Sequence, residues 1–148
     1  WVKNMTLEDE IENWAEENSA EGNRADTAKF FDLALAEFPE LRDDFADDDG
    51  LFHLQIATFS RVAQKAIERG DFLTLKRCYA IVDEVMKDAS PYVENAVYVS
   101  FLEHLEFEIL PNGKEARRLL PPKLAEMLVE LEAHFQKMWE AQQADRFK

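Results

Sequence analysis

The stretch LFHLQIATFSRVAQKAIERGDFLTLKRCYAIVDEVMKD, residues 51–88, decides the fold. Within it Phe52, Ile56, Phe59, Ala63 and Ala66 recur at steps of three and four. That spacing lines side chains along one face of an α-helix. Gly70 stands where the pattern stops, as a C-terminal stop residue, and Asp71 is placed to cap a following helix. Phe72, Leu75, Tyr79, Val82 and Met86 then form a second stripe that lasts to about Asp88. A link of one or two residues forces these two helices into an antiparallel hairpin.

Working upstream, Phe30, Phe31, Ala34, Leu35 and Phe38 predict a helix from about Asp26 to Phe38, stopped by Pro39. Leu41 and Phe45 suit a short inward-facing turn of helix, and Asp47-Asp48-Asp49-Gly50 breaks it. Further back, Thr6 can cap a helix to about Asn18 with the narrow stripe Leu7, Ile11 and Trp14, followed by a polar loop over 19–25. Downstream, Ser90-Pro91 places a capping hydroxyl before a proline at the first helical position. The apolar run behind it predicts a central helix to about Ile109. Pro111-Asn112-Gly113 reads as a turn, Glu115 to Leu120 as one or two helical turns. A last helix runs from Pro121-Pro122 to about Ala144, with the stripe Leu124, Leu128, Leu131, Phe135 and Met138. The expected fold is all-α: a compact irregular bundle of about six to seven helices with antiparallel hairpins, in one domain over 1–148. Met5 looks like a natural start, so Trp1-Val2-Lys3-Asn4 are read as a cloning remnant and 5–25 as an acidic N-terminal helix and loop.

Hydrophobic residues make up 47% of the chain, enough for a core, and Gly and Pro number only four and five. Disordered and collagen-like classes are excluded on those grounds. No run approaches the ~18 consecutive apolar residues of a membrane span, and no secretory signal is evident. The single cysteine, Cys78, cannot form an internal disulfide, which suits a reducing cytoplasm.

The net charge of −14 is concentrated. Residues 1–49 hold sixteen acids and four bases, a balance of −12, leaving −2 for the remainder. Glu8, Asp9, Glu10, Glu12, Glu16, Glu17 and Glu21 make one run; Glu37, Glu40, Asp43, Asp44, Asp47, Asp48 and Asp49 make another, with only Arg42 inside it. Such clusters attract and steer a basic surface. They make nucleic acid a poor partner, because binding it needs a basic stripe. The simplest alternative is a solvated face that keeps the protein soluble. Lys114, Arg117, Arg118 and Lys123, and Arg61, Lys65 and Arg69, read as internal counterparts of the acidic third.

Signals for chemistry are weak. His53, His104 and His134 lack the spacing of a helical metal site, and position 101 before His104 is Phe, position 131 before His134 Leu, which fails the di-iron pattern. A calcium loop with Gly50 at its sixth position puts Phe45 first and Ile56 twelfth, where carboxylates are required. Cys78 suits a packed helix interface better than a nucleophile's role. Glu103, His104, Glu106 and Glu108, alternating with Leu105 and Phe107, read as the exposed side of a buried helix. No glycine-rich phosphate loop or nucleophile elbow is present. No catalytic residue, cofactor or metal is expected, and the protein is not expected to be an enzyme.

The segment Glu94-Asn95-Ala96-Val97-x-Val99-Ser100-Phe101-Leu102-Glu103-x-Leu105, followed by Leu119-Leu120-Pro121-Pro122-x-Leu124, carries a resemblance, joined upstream by Phe38-Pro39-Glu40-Leu41 and Gly70-Asp71-Phe72. Over about residues 28–138 the chain resembles an uncharacterised family of small, acidic, all-helical bacterial proteins associated with immunity to polymorphic or contact-dependent toxins. The resemblance implies a cytoplasmic immunity protein that binds a cognate, basic toxin domain and occludes its active or substrate-binding surface. Asp43, Asp44, Asp47, Asp48 and Asp49 are the first expected contacts. Glu8, Glu12 and Glu16, on one face of the first helix, come next. Phe45 and Leu51 would anchor the contact if exposed, although a core role suits them better. A monomer or weak dimer with no membrane or nucleic-acid partner is expected. The alternative is a non-catalytic helical adaptor whose partner is not a toxin.

Overall fold

The structure is a computed structural model and describes residues 25–108 and 111–146. Seven α-helices occur among them, and no strand. They are α1 (Ala28–Glu37), α2 (Arg42–Asp47), α3 (Phe52–Arg69), α4 (Phe72–Met86), α5 (Pro91–Ala96), α6 (Gly113–Arg118) and α7 (Pro122–Arg146). Turns of 3-10 helix lead into α1 and α2. The all-α expectation holds. The expected first helix, with Glu8, Glu12 and Glu16, and the segment Trp1-Val2-Lys3-Asn4 lie outside the described residues.

The central hairpin forms as its punctuation requires. Gly70 adopts a left-handed conformation, φ 68°. Its N–H donates to the Ile67 carbonyl at 3.1 Å, and the Asp71 N–H donates to the Ala66 carbonyl at 2.8 Å. These two bonds satisfy carbonyls that the end of α3 would otherwise leave open. Asp71 then caps α4, accepting from the Thr74 N–H at 3.2 Å and from the Thr74 hydroxyl at 2.7 Å. Phe52, Ile56, Phe59, Ala63 and Ala66 are all buried, as are Leu75, Tyr79, Val82 and Met86. α3 packs against α2, α4, α5 and α6, so it is the hub of the bundle.

The start of α5 also follows its signals. The Ser90 hydroxyl accepts from the Val93 N–H at 3.2 Å, and Pro91 fills the first helical position. The expected α-helix to Ile109 does not persist, however. It widens into a π-helix over Val97–Phe101, tightens into 3-10 over Leu102–His104, and opens at Leu105, which has φ −90° and ψ 134°. Ser60 donates its hydroxyl to the Phe101 carbonyl at 3.1 Å, partnering that buried carbonyl near the end of the widened turn. Beyond it Leu105 and Phe107 are buried while Glu106 and Glu108 are exposed. Alternation with a period of two belongs to extended chain, since residues two apart cannot share a helix face. The alternation that suggested the exposed side of a helix is therefore the signature of an extended segment.

That segment lies directly on α6. A Cβ added to Gly113 would sit 1.8 Å from the Phe107 carbonyl oxygen, so only glycine admits the crossing. The Tyr79 hydroxyl, buried between helices, donates to the Ala116 carbonyl at 2.8 Å and ties α4 to α6. In α7 the stripe begins as expected, with Leu124, Leu128 and Leu131 buried. It then leaves the core: Phe135 is 43% exposed, and Met138 and Trp139 are exposed too. The bundle beneath α7 ends near Leu131, and the periodic pattern continues past it.

Candidate interaction surface

α2 is a short helix with two unlike sides. Leu41 and Phe45 turn inward, four residues apart, and both are buried. Phe45 meets the rings of Phe30 and Phe31 with centroids 5.8 Å and 5.5 Å away, edge-on or tilted. The Gln55 side-chain amide of α3, itself buried, donates to the Phe45 carbonyl at 2.9 Å. Burying a phenylalanine contributes roughly 2–3 kcal/mol. Like charges one helical turn apart oppose this by only about 0.2–0.5 kcal/mol per pair. The aromatic anchor therefore wins, and α2 holds a dense acidic face against its own repulsion.

The opposite side carries Asp43, Asp44 and Asp47, all exposed, and the chain continues through Asp48 and exposed Asp49. Among the described residues no cation lies within ion-pair distance of any of the five. Asp47 and Asp48 sit at the C-terminal end of α2, where the helix dipole disfavours negative charge. Gly50, φ 81°, turns the chain toward α3. The Leu51 N–H donates to the Asp48 carbonyl at 2.9 Å, and the Leu54 N–H to the Leu51 carbonyl at 3.0 Å. Leu51, 39% exposed, thus follows directly on the carboxylate turn, and Leu54, 50% exposed, lies three residues on at the start of α3. Phe45 takes the core role expected of it, whereas Leu51, for which a core role was also expected, is at the surface. Leu54 was not singled out, although its place two residues from both Phe52 and Ile56 puts it on the side of α3 opposite the buried stripe.

Behind the acidic face a groove of about 380 Å³ separates α2 from α3. Asp44, Asp47 and Asp48 line one wall and Arg61 and Lys65 the other. No ion pair joins the walls among the described residues; the Arg61 guanidinium donates instead to the Thr58 hydroxyl at 2.9 Å. The second basic group is used elsewhere. Arg117 pairs with Glu132 and Arg118 with Glu115, so neither neutralises the acidic face within the described part of the chain.

The candidates for chemistry are dispersed. Cys78 is fully buried, and burial pushes its thiol up to about 12, which keeps it protonated and inert. Burial likewise raises the Tyr79 phenol. His53 exchanges a 2.9 Å hydrogen bond with the buried Ser100 hydroxyl, whereas His104 and His134 are exposed. Among the described residues no three His, Cys, Asp or Glu side chains gather as a metal site would require. No described helix is long and apolar enough to cross a membrane.

Comparison with known proteins places the chain in a family. No curated protein and no solved structure matches it. The model of a domain of unknown function, DUF7674, matches residues 31–140, more than half of the 148 and nearly the span over which the resemblance was read. The description of that domain names no activity and no organism. The chain belongs to the DUF7674 family.

Proposed function

We propose that this protein is an inhibitor of the immunity type, which binds a cognate bacterial toxin domain through α2 and the turn that follows it. One observation carries the reading: five carboxylates without ion-pair partners among the described residues stand beside two exposed leucines on a rigidly anchored element. An apolar centre with a charged surround is the anatomy of a protein–protein contact. Leu51 and Leu54 would supply the desolvated contact, and Asp43, Asp44, Asp47, Asp48 and Asp49 the attraction for a basic surface. Toxin domains that cut nucleic acid need cationic surfaces to hold phosphates. A carboxylate array on such a surface would exclude the substrate, and steering would speed the encounter. Glu8, Glu12 and Glu16, outside the described residues, are the next proposed contacts.

Capture from a lysate of the source organism at low salt, with release at about 0.5 M salt, tests this directly. The expected result is a basic partner that is toxic when expressed alone and silent when this protein is present. A salt-released partner without toxic activity would make the protein a non-catalytic helical adaptor instead. Absence of any salt-released partner would reduce the acidic face to a solubilising surface.

A further inference from the structure

A second surface lies away from α2 and shares no residue with it. The extended segment behind the π-helix and the side of α7 enclose a groove of about 310 Å³. Leu105, Leu128, Leu131 and Phe135 supply its apolar lining. Glu103, Glu106, Glu108 and Glu132 line it as well, against a single cation, Arg117. That cation is already committed: its guanidinium donates to Glu132 through both terminal nitrogens, one at 2.7 Å, and the nearby Glu108 carboxylate adds to the field that raises its pKa. The groove is thus apolar inside and strongly negative at its edge.

Its walls are fixed. The Glu106 N–H donates to the Gln64 side-chain oxygen at 3.0 Å, pinning the extended segment to α3. The Arg117–Glu132 pair bridges α6 and α7. The apolar track continues along α7 from Leu128 through Phe135 to the exposed Met138 and Trp139, about 16 Å or three helical turns. A preformed track of that length fits a short helix laid alongside it.

We propose that this groove docks a cationic amphipathic helix of a partner protein, with apolar anchors on one face and lysine or arginine at its flanks. Charge selects this occupant. The chain's own segment 5–18 has the stripe Leu7, Ile11 and Trp14, but its acids would face the groove's carboxylates. A second copy would bring a further net charge of −14. A basic helix alone gains from both the lining and the rim. The proposal does not depend on the α2 reading, because either surface can fail while the other stands.

The test uses the full chain and a synthetic helical peptide, with Leu at i, i+3, i+4 and i+7 and Lys elsewhere, beside a twin carrying Glu for Lys. The Lys peptide should shift the NMR signals of Leu105, Leu131 and Phe135 and bind at least about tenfold more tightly than its twin. Phe135→Ser, at a half-exposed position, should weaken it about tenfold. Glu106→Gln with Glu108→Gln should weaken it and flatten its salt dependence. Neutralising the aspartates of α2 should change it less than about twofold. Equal binding of the twin, shifts confined to 43–49, or no effect of Phe135→Ser would overturn the proposal. Concentration-dependent self-association through the same signals would overturn it in favour of a second copy.

Discussion

Replacing Gly113 by alanine sets two effects against each other. Alanine is the better helix former, and relief of glycine's conformational freedom would stabilise α6 by no more than about 0.5–1 kcal/mol, the value for a helix interior, because Gly113 is its first residue. The new Cβ, however, would lie 1.8 Å from the Phe107 carbonyl oxygen and 2.4 Å from its carbon. Real Cβ atoms essentially never approach another atom more closely than 3.0 Å. The extended segment must therefore retreat by roughly 1 Å, and the obstacle is backbone, with no rotamer to turn aside. Retreat lifts Leu105 and Phe107 from the core, where both are buried. Overpacking of this kind costs about 1–3 kcal/mol, and the upper end applies because two core side chains move with the chain. The net loss is about 2 kcal/mol, or roughly 4–8 °C in Tm for a domain of this size. Thermal unfolding followed by far-ultraviolet circular dichroism measures it. An unchanged or raised Tm for Gly113→Ala would show that helix propensity governs the site and that the crossing is wrongly described. A drop in Tm should also weaken peptide binding at the groove, since the same segment forms its wall.

Other outcomes follow from single contacts. Ser60→Ala leaves the buried Phe101 carbonyl without its donor and should cost about 1–3 kcal/mol, read as a lower denaturant midpoint. Cys78 should resist a thiol reagent at about pH 8 in the folded protein and react on unfolding, because burial holds the thiol protonated. Hydrogen bonds from the Thr74 hydroxyl and N–H hold the Asp71 carboxyl below its ordinary value of 3.8. Its contribution is present above that value and is lost as pH falls through the lowered one. The Tm gap between the natural chain and Asp71→Ala should accordingly shrink on acidification below about pH 4, and a constant gap would refute the assignment. Replacing Asp47 by asparagine should raise Tm by about a degree or more at low salt, since it removes a negative charge from the C-terminal end of α2 and its repulsion with Asp43 and Asp44 one turn back. That gain should vanish at high salt.

Local chemistry made much of this fold legible. Gly70, Asp71, Ser90 and Pro91 act through neighbours a few residues away, so their roles could be read directly. The helical stripes of α3 and α4 are long enough to outweigh any single residue. The segment after Ser100 was harder to read. Its leucines and phenylalanines fit a helix as well as an extended chain, and only the alternation Leu105, Glu106, Phe107, Glu108 distinguished them. Gly113 looked like an ordinary turn glycine because the atom it must avoid belongs to Phe107, which reaches it only through the fold. Phe135 and Met138 continue a faithful helical pattern, yet periodicity cannot say where the bundle beneath it ends. For the candidate surface, the aspartates were evident from charge alone. The burial of Phe45 was legible too, from its spacing with Leu41; the exposure of Leu51 was not, and is a consequence of how the turn after α2 meets α3.

The role proposed for the α2 carboxylates is to bind a basic partner. It is tested most directly by measuring the affinity of the captured partner against salt concentration, for the natural chain and for a variant with Asp43, Asp44, Asp47, Asp48 and Asp49 all replaced by asparagine. Affinity for the natural chain should fall steeply with salt. The variant should bind at least about tenfold more weakly at low salt, with a flattened salt dependence. Equal affinities with equal slopes would contradict it.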